Sequence, residues 1–269
     1  MENQIRVLAR KTLPPQIRRT LGTAAGNFQN KIISPVKGII FDLFVRRFRA
    51  DGCQFEIPRQ LTSRTYRSCF LGNSYEAEER ELIRKFIRGD DRVLEIGGCL
   101  GIVSCVTNKL IRDKQAHVVV EGNPHCIPAI HRNREINQCG FLVENCALSN
   151  QTDVTFYLHP VYIVGGSTQS ESDRPVRVPG KSLGELDARY GPFSALIMDV
   201  EGAELESFEA AGNLLNKYRL VIVELHPWAI GEEKVERCRE ILRNAGFHFK
   251  QRAGITEAWE RPEEHSKTA

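Results

Sequence analysis

The stretch VLEIGGCLG at residues 93–101 determines the fold of this 269-residue chain. An apolar run typical of a buried strand leads into a turn with Gly97, Gly98 and Gly101, and a second apolar run then begins a helix. A strand, a glycine-rich turn and a helix in this order are typical of a nucleotide-binding site. Because Cys99 stands where the dinucleotide fingerprint G-x-G-x-x-G needs a glycine, the stretch alone does not identify the nucleotide.

The alternation of strands and helices continues along the chain. Around the glycine turn we predict helices at 75–88, 101–112 and 124–138 and strands at 92–97, 116–121 and 141–148. Further on we predict strands at 153–160, 175–180, 193–200, 219–226, 247–251 and 255–259, and helices at 181–190, 203–216 and 232–246. Strands that alternate with helices predict an α/β fold with a doubly wound, mostly parallel sheet and right-handed crossovers. A polar loop at 165–173 is long enough to cover a site.

Composition favours a cytoplasmic protein. Hydrophobic residues make up 41% of the chain, and no run is as long and apolar as a membrane span. The first residues lack the apolar core of a signal peptide. The eight cysteines form no C-x-x-C pair, which argues against a zinc site and fits a reducing compartment.

Charge is distributed unevenly. Residues 1–50 carry ten Lys or Arg against two acidic residues, a net charge of +8, whereas the whole chain carries +3 and the remainder therefore −5. Within this basic segment, residues 34–48 have the spacing of an amphipathic helix with Ser34 as its N-cap. The helix either lies on an anionic membrane surface or packs on its own domain. We predict a basic, helical extension at 1–69 and one domain at 70–262.

The residues that follow the strands indicate a ligand site, because ligands of doubly wound sheets bind at the carboxyl ends of the strands. Gly97, Gly98 and Gly101 follow the first strand and let a ligand approach the backbone. Glu121 follows the next strand, where a carboxylate can accept hydrogen bonds from both hydroxyls of a ribose. This pair of features fits NAD and S-adenosylmethionine alike, since both contain an adenosine ribose.

An acidic run at the end of a later strand distinguishes the two cofactors. IMDVEGAE (197–204) places Asp199 and Glu201 at the strand end and Glu204 in the next helix. Such a cluster disfavours pyrophosphate but suits a sulfonium cation or a divalent metal, so it favours S-adenosylmethionine. We predict S-adenosylmethionine as the cofactor and leave metal binding unassigned.

Six segments together resemble the FkbM family of S-adenosylmethionine-dependent methyltransferases. They are GNSYEAEER, RVLEIGGCLGIVS, VVVEGNPH with HRNREIN, ENCALS, the GGST loop, and LIMDVEGAELESFEAAGNLL with VIVELHP. The resemblance covers roughly residues 70–226 in the family's order, and the D-V-E-G-A-E run is its most specific part. It implies a class I methyltransferase fold with a seven-stranded sheet, and methyl transfer to a hydroxyl of a sugar, glycolipid or secondary metabolite.

The resemblance also implies roles for individual residues. Glu95 and the glycines match the cofactor loop, Glu121 the ribose-binding acid, and Glu224 and His226 the residues that end the next strand. The residues predicted to bind the cofactor are Glu95, Gly97, Gly98, Gly101, Glu121, Asn123, Asn145, Ala147 and Asp199. The residues predicted to act in catalysis are His226, Asp199 and Glu201. His226 is the first candidate for the base because the intrinsic pKa of histidine lies near neutrality, and Asp199 is the second.

The sequence departs from the family pattern in two places. The family's L-K-x-D has no lysine here, since the residues are Leu196, Ile197, Met198 and Asp199, and its T-L-D is replaced by S-L-G at 182–184. A non-catalytic S-adenosylmethionine-binding module is therefore the main alternative to an enzyme. An NAD-dependent oxidoreductase is disfavoured by Cys99, and a nucleic-acid methyltransferase by the absence of an N-P-P-Y-type run.

The partners expected from these patterns are a small-molecule or glycan hydroxyl acceptor and, through residues 1–50, an anionic membrane surface. Nucleic acid is not an expected partner.

Overall fold

The computed structural model describes residues 34–158, 166–168 and 174–262 and divides the chain into two units. The described part of the smaller unit comprises 34–46 and 63–75, and that of the larger unit comprises 47–62 and the described residues from Glu76 onward. Most of the basic leader and of the predicted loop at 165–173 lie outside the described residues. The boundary expected after residue 69 stays a prediction.

The smaller unit is a pair of helices, α1 (Ser34–Phe44) and α2 (Arg64–Leu71). Gly38 allows the two backbones to approach closely, because a Cβ there would lie 2.0 Å from the carbonyl oxygen of Arg64. The rings of Phe41 and Phe70 pack at 5.8 Å. The helix expected at 34–48 ends at Phe44, because the chain turns into a strand at Phe48.

The larger unit contains the remaining elements. Its helices are α3 (Ala77–Phe86), α4 (Ile102–Leu110), α5 (Ile127–Ile136), α6 (Leu183–Tyr190), α7 (Glu204–Ala211), α8 (Pro227–Ile230) and α9 (Glu232–Asn244), with a 3-10 helix at Gly212–Lys217. Its strands are β1 (Phe48–Ala50), β2 (Cys53–Phe55), β3 (Val93–Ile96), β4 (His117–Val120), β5 (Leu142–Glu144), β6 (Ala147–Leu148), β7 (Asp153–Leu158), β8 (Gly166–Ser167), β9 (Pro175–Lys181), β10 (Ala195–Met198), β11 (Leu220–Glu224), β12 (His248–Ala253) and β13 (Thr256–Glu260).

Seven strands form the central sheet in the order β12-β13-β11-β10-β3-β4-β5. The pairs from β11 to β5 are parallel, whereas β13 runs antiparallel to both of its neighbours. The strands β3, β4 and β10 are buried along their whole length, which is why each is an almost continuous apolar run. The predicted doubly wound, mostly parallel sheet of seven strands is confirmed.

The strand order creates a crevice between β3 and β10. From β3 the chain moves outward through β4 and β5, then returns to the other side of β3 as β10. This reversal opens the carboxyl ends of the two strands to a ligand. The loops that follow β3, β4, β10 and β11 therefore surround the candidate site.

Two predicted elements differ from the structure. The strand expected at 141–148 is two strands: β5 belongs to the central sheet, whereas β6 joins a second sheet with the order β6-β9-β7-β8. Asn145 and Cys146 separate them. The helix expected at 203–216 is α7 followed by the 3-10 helix, because Gly212 adopts a φ of +47° after the last α-helical residue. Among the described residues, no helix is long and apolar enough to cross a membrane.

Candidate active site at the ends of the central strands

Gly97 brings the loop after β3 against the end of β10. Its φ is +102°, and a Cβ at this position would lie 2.0 Å from the carbonyl oxygen of Asp199. Only glycine satisfies both conditions, because a side chain is strained at that φ and has no room. The glycine turn and Asp199 are thus adjacent parts of one site.

Glu121 closes the glycine turn from the end of β4. Its carboxylate accepts hydrogen bonds from the backbone N–H of Cys99 and of Asn123, each at 2.6 Å. Burial raises the pKa of Glu121, although the N–H groups of Asn123, Cys99 and Gly98 act in the opposite direction. A carboxylate has about four acceptor positions, so ribose hydroxyls can still be bound alongside these N–H groups.

Cys99 adopts a left-handed conformation with a φ of +46°. Such a conformation costs a residue other than glycine roughly 1–2 kcal/mol. The charge-assisted hydrogen bond from its N–H to Glu121 offsets this cost. The position that departs from the dinucleotide fingerprint is therefore held in place by the acid predicted to bind ribose.

Three other predicted cofactor residues follow β4 and β5. The Nδ2 of Asn145 donates to the carbonyl oxygen of Glu121 at 2.8 Å and so links the two strand ends. Asn123 is buried, and its Oδ1 accepts from the N–H of His125 at 3.0 Å, which shapes the turn. Ala147 is buried in β6. Asn145 and Asn123 thus surround Glu121, whereas Ala147 belongs to the second sheet.

Glu95 has a different environment from the other predicted cofactor residues. It is 1% exposed, accepts a hydrogen bond from Ser104 Oγ, and lies 3.1 Å from His117 Nε2. Its carboxylate is occupied by these partners beneath the glycine turn. The contact of Glu95 with the cofactor stays a prediction.

The lysine of the family pattern, which this sequence lacks, would lie beside Glu95. The pattern places it at Ile197, which is in register with Glu95 on the adjacent strand. A lysine there would face a buried carboxylate, whereas in this chain His117 and Ser104 supply the polar partners of Glu95. The departure at position 197 therefore leaves Glu95 with compensating partners.

An acidic cluster surrounds His226, which is 1% exposed. Its Nδ1 lies 2.6 Å from Glu204 Oε1, and that oxygen also accepts from the N–H of Gly202 at 2.9 Å. On the other side of the ring, Nε2 faces three carboxylate oxygens. These are Glu224 Oε1 at 3.5 Å, Asp199 Oδ1 at 3.6 Å and Glu201 Oε2 at 3.6 Å.

The pKa values in this cluster are strongly perturbed. Burial alone would lower the pKa of His226, but Glu204, Glu224, Asp199 and Glu201 raise it to about 11. Burial and the charges of Glu224 and Glu201 raise the pKa of Asp199 well above its ordinary value. The imidazole is thus a cation at neutral pH without ligand, which is incompatible with the near-neutral pKa expected from histidine alone.

Two further acids belong to the cluster and were not identified from the sequence. Glu76 immediately precedes α3 with a φ of +47°, and Glu79 lies in the first turn of that helix. Burial, followed by repulsion from Glu76, Asp199 and Glu224, raises the pKa of Glu79 well above its ordinary value. Their signal in the sequence is the acidic run YEAEE at 75–79, to which the predicted helix at 75–88 assigned no functional role.

The chemistry of this cluster suits a positively charged ligand. Asp199 Oδ1 is buried without a hydrogen-bond partner, and negative groups outnumber the one imidazolium. Among the described residues, two sets of three side chains bring potential metal-ligand atoms within 4.8 Å of one another. They are Asp199 with Glu224 and His226, and Glu76 with Glu79 and Glu224. The same atoms can surround the sulfonium and amino groups of S-adenosylmethionine.

A cavity of about 260 Å³ lies between α7, the start of α6 and the second sheet. Ala203 and Ser207 line it on the side of α7, and Ser149, Gln151 and Thr168 line it on the opposite side. Glu206 is the one charged residue in its lining. The cavity suits an uncharged group that carries several hydroxyls.

A family model described as "Methyltransferase FkbM domain" matches residues 95–249. Comparison with curated proteins gave no match. A methyltransferase from Pyrococcus furiosus is 16% identical with a TM-score of 0.46, covering 87% of this chain and 99% of its own. A putative O-methyltransferase from Klebsiella pneumoniae is 13% identical with a TM-score of 0.42, covering 87% of this chain and 100% of its own. TM-scores of this size do not establish a shared fold by themselves.

Proposed function

Because the chain belongs to the FkbM methyltransferase family, we propose that it transfers a methyl group from S-adenosylmethionine to a hydroxyl oxygen. Class I S-adenosylmethionine-dependent methyltransfer is the activity of the fold and family, and the proposed part is the acceptor: a sugar, a glycolipid or a secondary metabolite. The observation that carries the proposal is the position of His226 and Asp199 beside the glycine turn.

The residues around the glycine turn fit the cofactor. Glu121 has acceptor positions left for the ribose hydroxyls, and the glycines leave the backbone accessible. Asp199 Oδ1, which has no hydrogen-bond partner, and its neighbouring carboxylates provide an acidic environment for a cation. S-adenosylmethionine, when bound, supplies a methyl group on a positively charged sulfur that becomes neutral on transfer.

His226 is the proposed base for the acceptor hydroxyl. Glu204 holds Nδ1, which fixes the ring and leaves Nε2 towards Asp199 and Glu224. In the free protein His226 carries a proton because carboxylates surround it. Positive charge placed among those carboxylates lowers the pKa of His226, so that Nε2 becomes able to accept a proton. The cluster can therefore couple binding of a cation to activation of the base.

The cavity between α6 and α7 supports a neutral, hydroxyl-bearing acceptor. Its polar lining consists mainly of hydroxyl and amide side chains, and Glu206 would repel phosphate or carboxylate groups. Its volume of about 260 Å³ suits part of an acceptor rather than a whole glycan. Ala203, at the start of α7, lines the cavity, and it lies close to Asp199 in the sequence.

Methyl transfer to a hydroxyl is tested by incubating the protein with S-adenosylmethionine labelled in its methyl group and with extracts of glycans, lipids and small metabolites. We expect label in a product that survives mild alkali, because methyl ethers are stable there whereas methyl esters are hydrolysed. The Asp199→Asn variant serves as the matched control and should leave the extract unlabelled. An alkali-labile product would contradict the hydroxyl assignment, and cofactor binding without any transfer would indicate a non-catalytic module.

A further inference from the structure

The smaller unit exposes an apolar surface on the helix α1. Val36, Ile39 and Ile40 are 50%, 41% and 40% exposed, and Leu43 and Phe44 are 70% and 77% exposed. The spacing of these five residues places them on one side of the helix. We call this side the α1 apolar face. From it we infer a binding surface that the methyltransferase reaction does not require.

The opposite side of α1 is the one that packs within its unit. Gly38 and Phe41 are buried against α2, and Asp42 pairs with Arg67 at 2.7 Å. The only acidic residue of the helix is thus engaged by α2. The larger apolar side chains therefore remain on the surface although the helix already has a packing partner, and this arrangement is typical of a recognition surface.

The charges next to the α1 apolar face are positive. Lys37 and Arg46 are exposed in the same unit, and Arg47 and Arg49 follow in sequence. Residues 1–50 carry a net charge of +8. An amphipathic helix with basic flanks binds the interface of anionic bilayers, where apolar side chains enter the acyl region and cations contact the headgroups.

We propose that the α1 apolar face, together with the exposed Lys37 and Arg46 of the same unit, docks this protein on an anionic phospholipid surface. A second copy of the chain is disfavoured as the occupant, since two such faces would bring like charges together. The basic side chains need not be held at fixed positions to bind a bilayer, because the lipid phosphates are distributed over its whole surface. The proposal is independent of the acceptor assigned above.

Sedimentation with vesicles tests the proposal on the full chain. We expect the protein to pellet with vesicles of phosphatidylcholine and phosphatidylglycerol, to stay in solution with phosphatidylcholine alone, and to be released by salt. Replacing Leu43 and Phe44 together with glutamate should lower the pelleted fraction about fivefold or more. Phe249→Glu is the matched control, because Phe249 is an exposed apolar residue of the larger unit (51%) and its replacement should leave pelleting unchanged.

Calorimetry with S-adenosylhomocysteine shows that the larger unit of each variant is folded, and the helical circular dichroism signal shows whether the double variant keeps the helices of the smaller unit. The proposal is overturned if wild-type protein does not pellet with anionic vesicles, or pellets equally with neutral ones. It is also overturned if the double glutamate variant pellets as the wild type does. A concentration-dependent dimer that the double variant abolishes, without vesicle binding, would instead assign the face to a second copy of the chain.

Discussion

Asp199→Asn is expected to reduce methyl transfer about 1000-fold and to raise the melting temperature of the protein. The carboxylate of Asp199 faces Nε2 of His226 at 3.6 Å, and its oxygen Oδ1 has no hydrogen-bond partner. Burial and repulsion from Glu224 raise its pKa, so the ionised form costs folding stability. Asparagine keeps the shape and removes the charge, which should add ~1 kcal/mol, or about 2–4 °C.

Because methyl transfer should fall while the melting temperature rises, a loss of activity in this variant cannot be explained by unfolding. Transfer is measured with labelled S-adenosylmethionine, and stability by thermal unfolding near neutral pH. Glu209→Gln is the matched control, since Glu209 is an exposed acid of α7 away from His226, and it should change neither quantity. Transfer by the Asp199→Asn variant within about tenfold of wild type would remove Asp199 from the mechanism.

Gly97→Ala is expected to destabilise the protein by about 3 kcal/mol or more and to weaken S-adenosylhomocysteine binding at least about 100-fold. The new methyl group would meet the carbonyl oxygen of Asp199 at 2.0 Å, on a residue whose φ is +102°. Either the glycine turn or the end of β10 has to move, and both belong to the site. Urea unfolding and calorimetry measure the two effects.

Gly52→Ala separates steric overlap from backbone strain. Gly52 also has a positive φ, +76°, but a Cβ there meets nothing within 4 Å. Its replacement should cost about 1 kcal/mol and leave cofactor binding unchanged. If Gly97→Ala costs no more than Gly52→Ala, the close packing of Gly97 on Asp199 does not organise the site.

The sequence predicts the central sheet well because each of its buried strands is locally distinctive. VLEI, HVVV and ALIM are apolar runs interrupted only by Glu95 and His117, as expected of strands covered on both faces. The break between β5 and β6 is not predictable in this way, because the polar residues Glu144 and Asn145 do not by themselves show whether the strand continues in the same sheet. Only the pairing of Ala147 with Gly180 on β9 shows that the chain has passed to a second sheet.

The sequence predicted that the candidate residues lie at neighbouring strand ends, but it did not predict their pKa values. Strand ends identified Glu121, Asp199 and His226 because topology brings the carboxyl ends of parallel strands together. The pKa of His226 depends on four carboxylates that the fold brings around the ring, three from residues 199–204 and one from Glu224, so an intrinsic value could not indicate it. Likewise, the amphipathic pattern of α1 predicted a helix, but the side that packs depends on contacts with α2.

In the proposed function, a positively charged donor binds among the carboxylates around His226, and its charge lowers the pKa of this imidazole from about 11. By linkage, a cation that lowers this pKa releases a proton on binding at pH values between the pKa of the complex and that of the free protein, and its affinity rises with pH over that range. S-adenosylhomocysteine lacks the sulfonium charge and should release fewer protons. His226→Gln should remove the difference between the two ligands.

The direct measurement is calorimetric titration of the protein with each ligand at about pH 8, in two buffers of different ionisation enthalpy. We expect S-adenosylmethionine to release more protons than S-adenosylhomocysteine with the wild type, and the two ligands to release equal numbers with His226→Gln. Equal proton release by both ligands with the wild type, or no binding of either, would contradict this expectation.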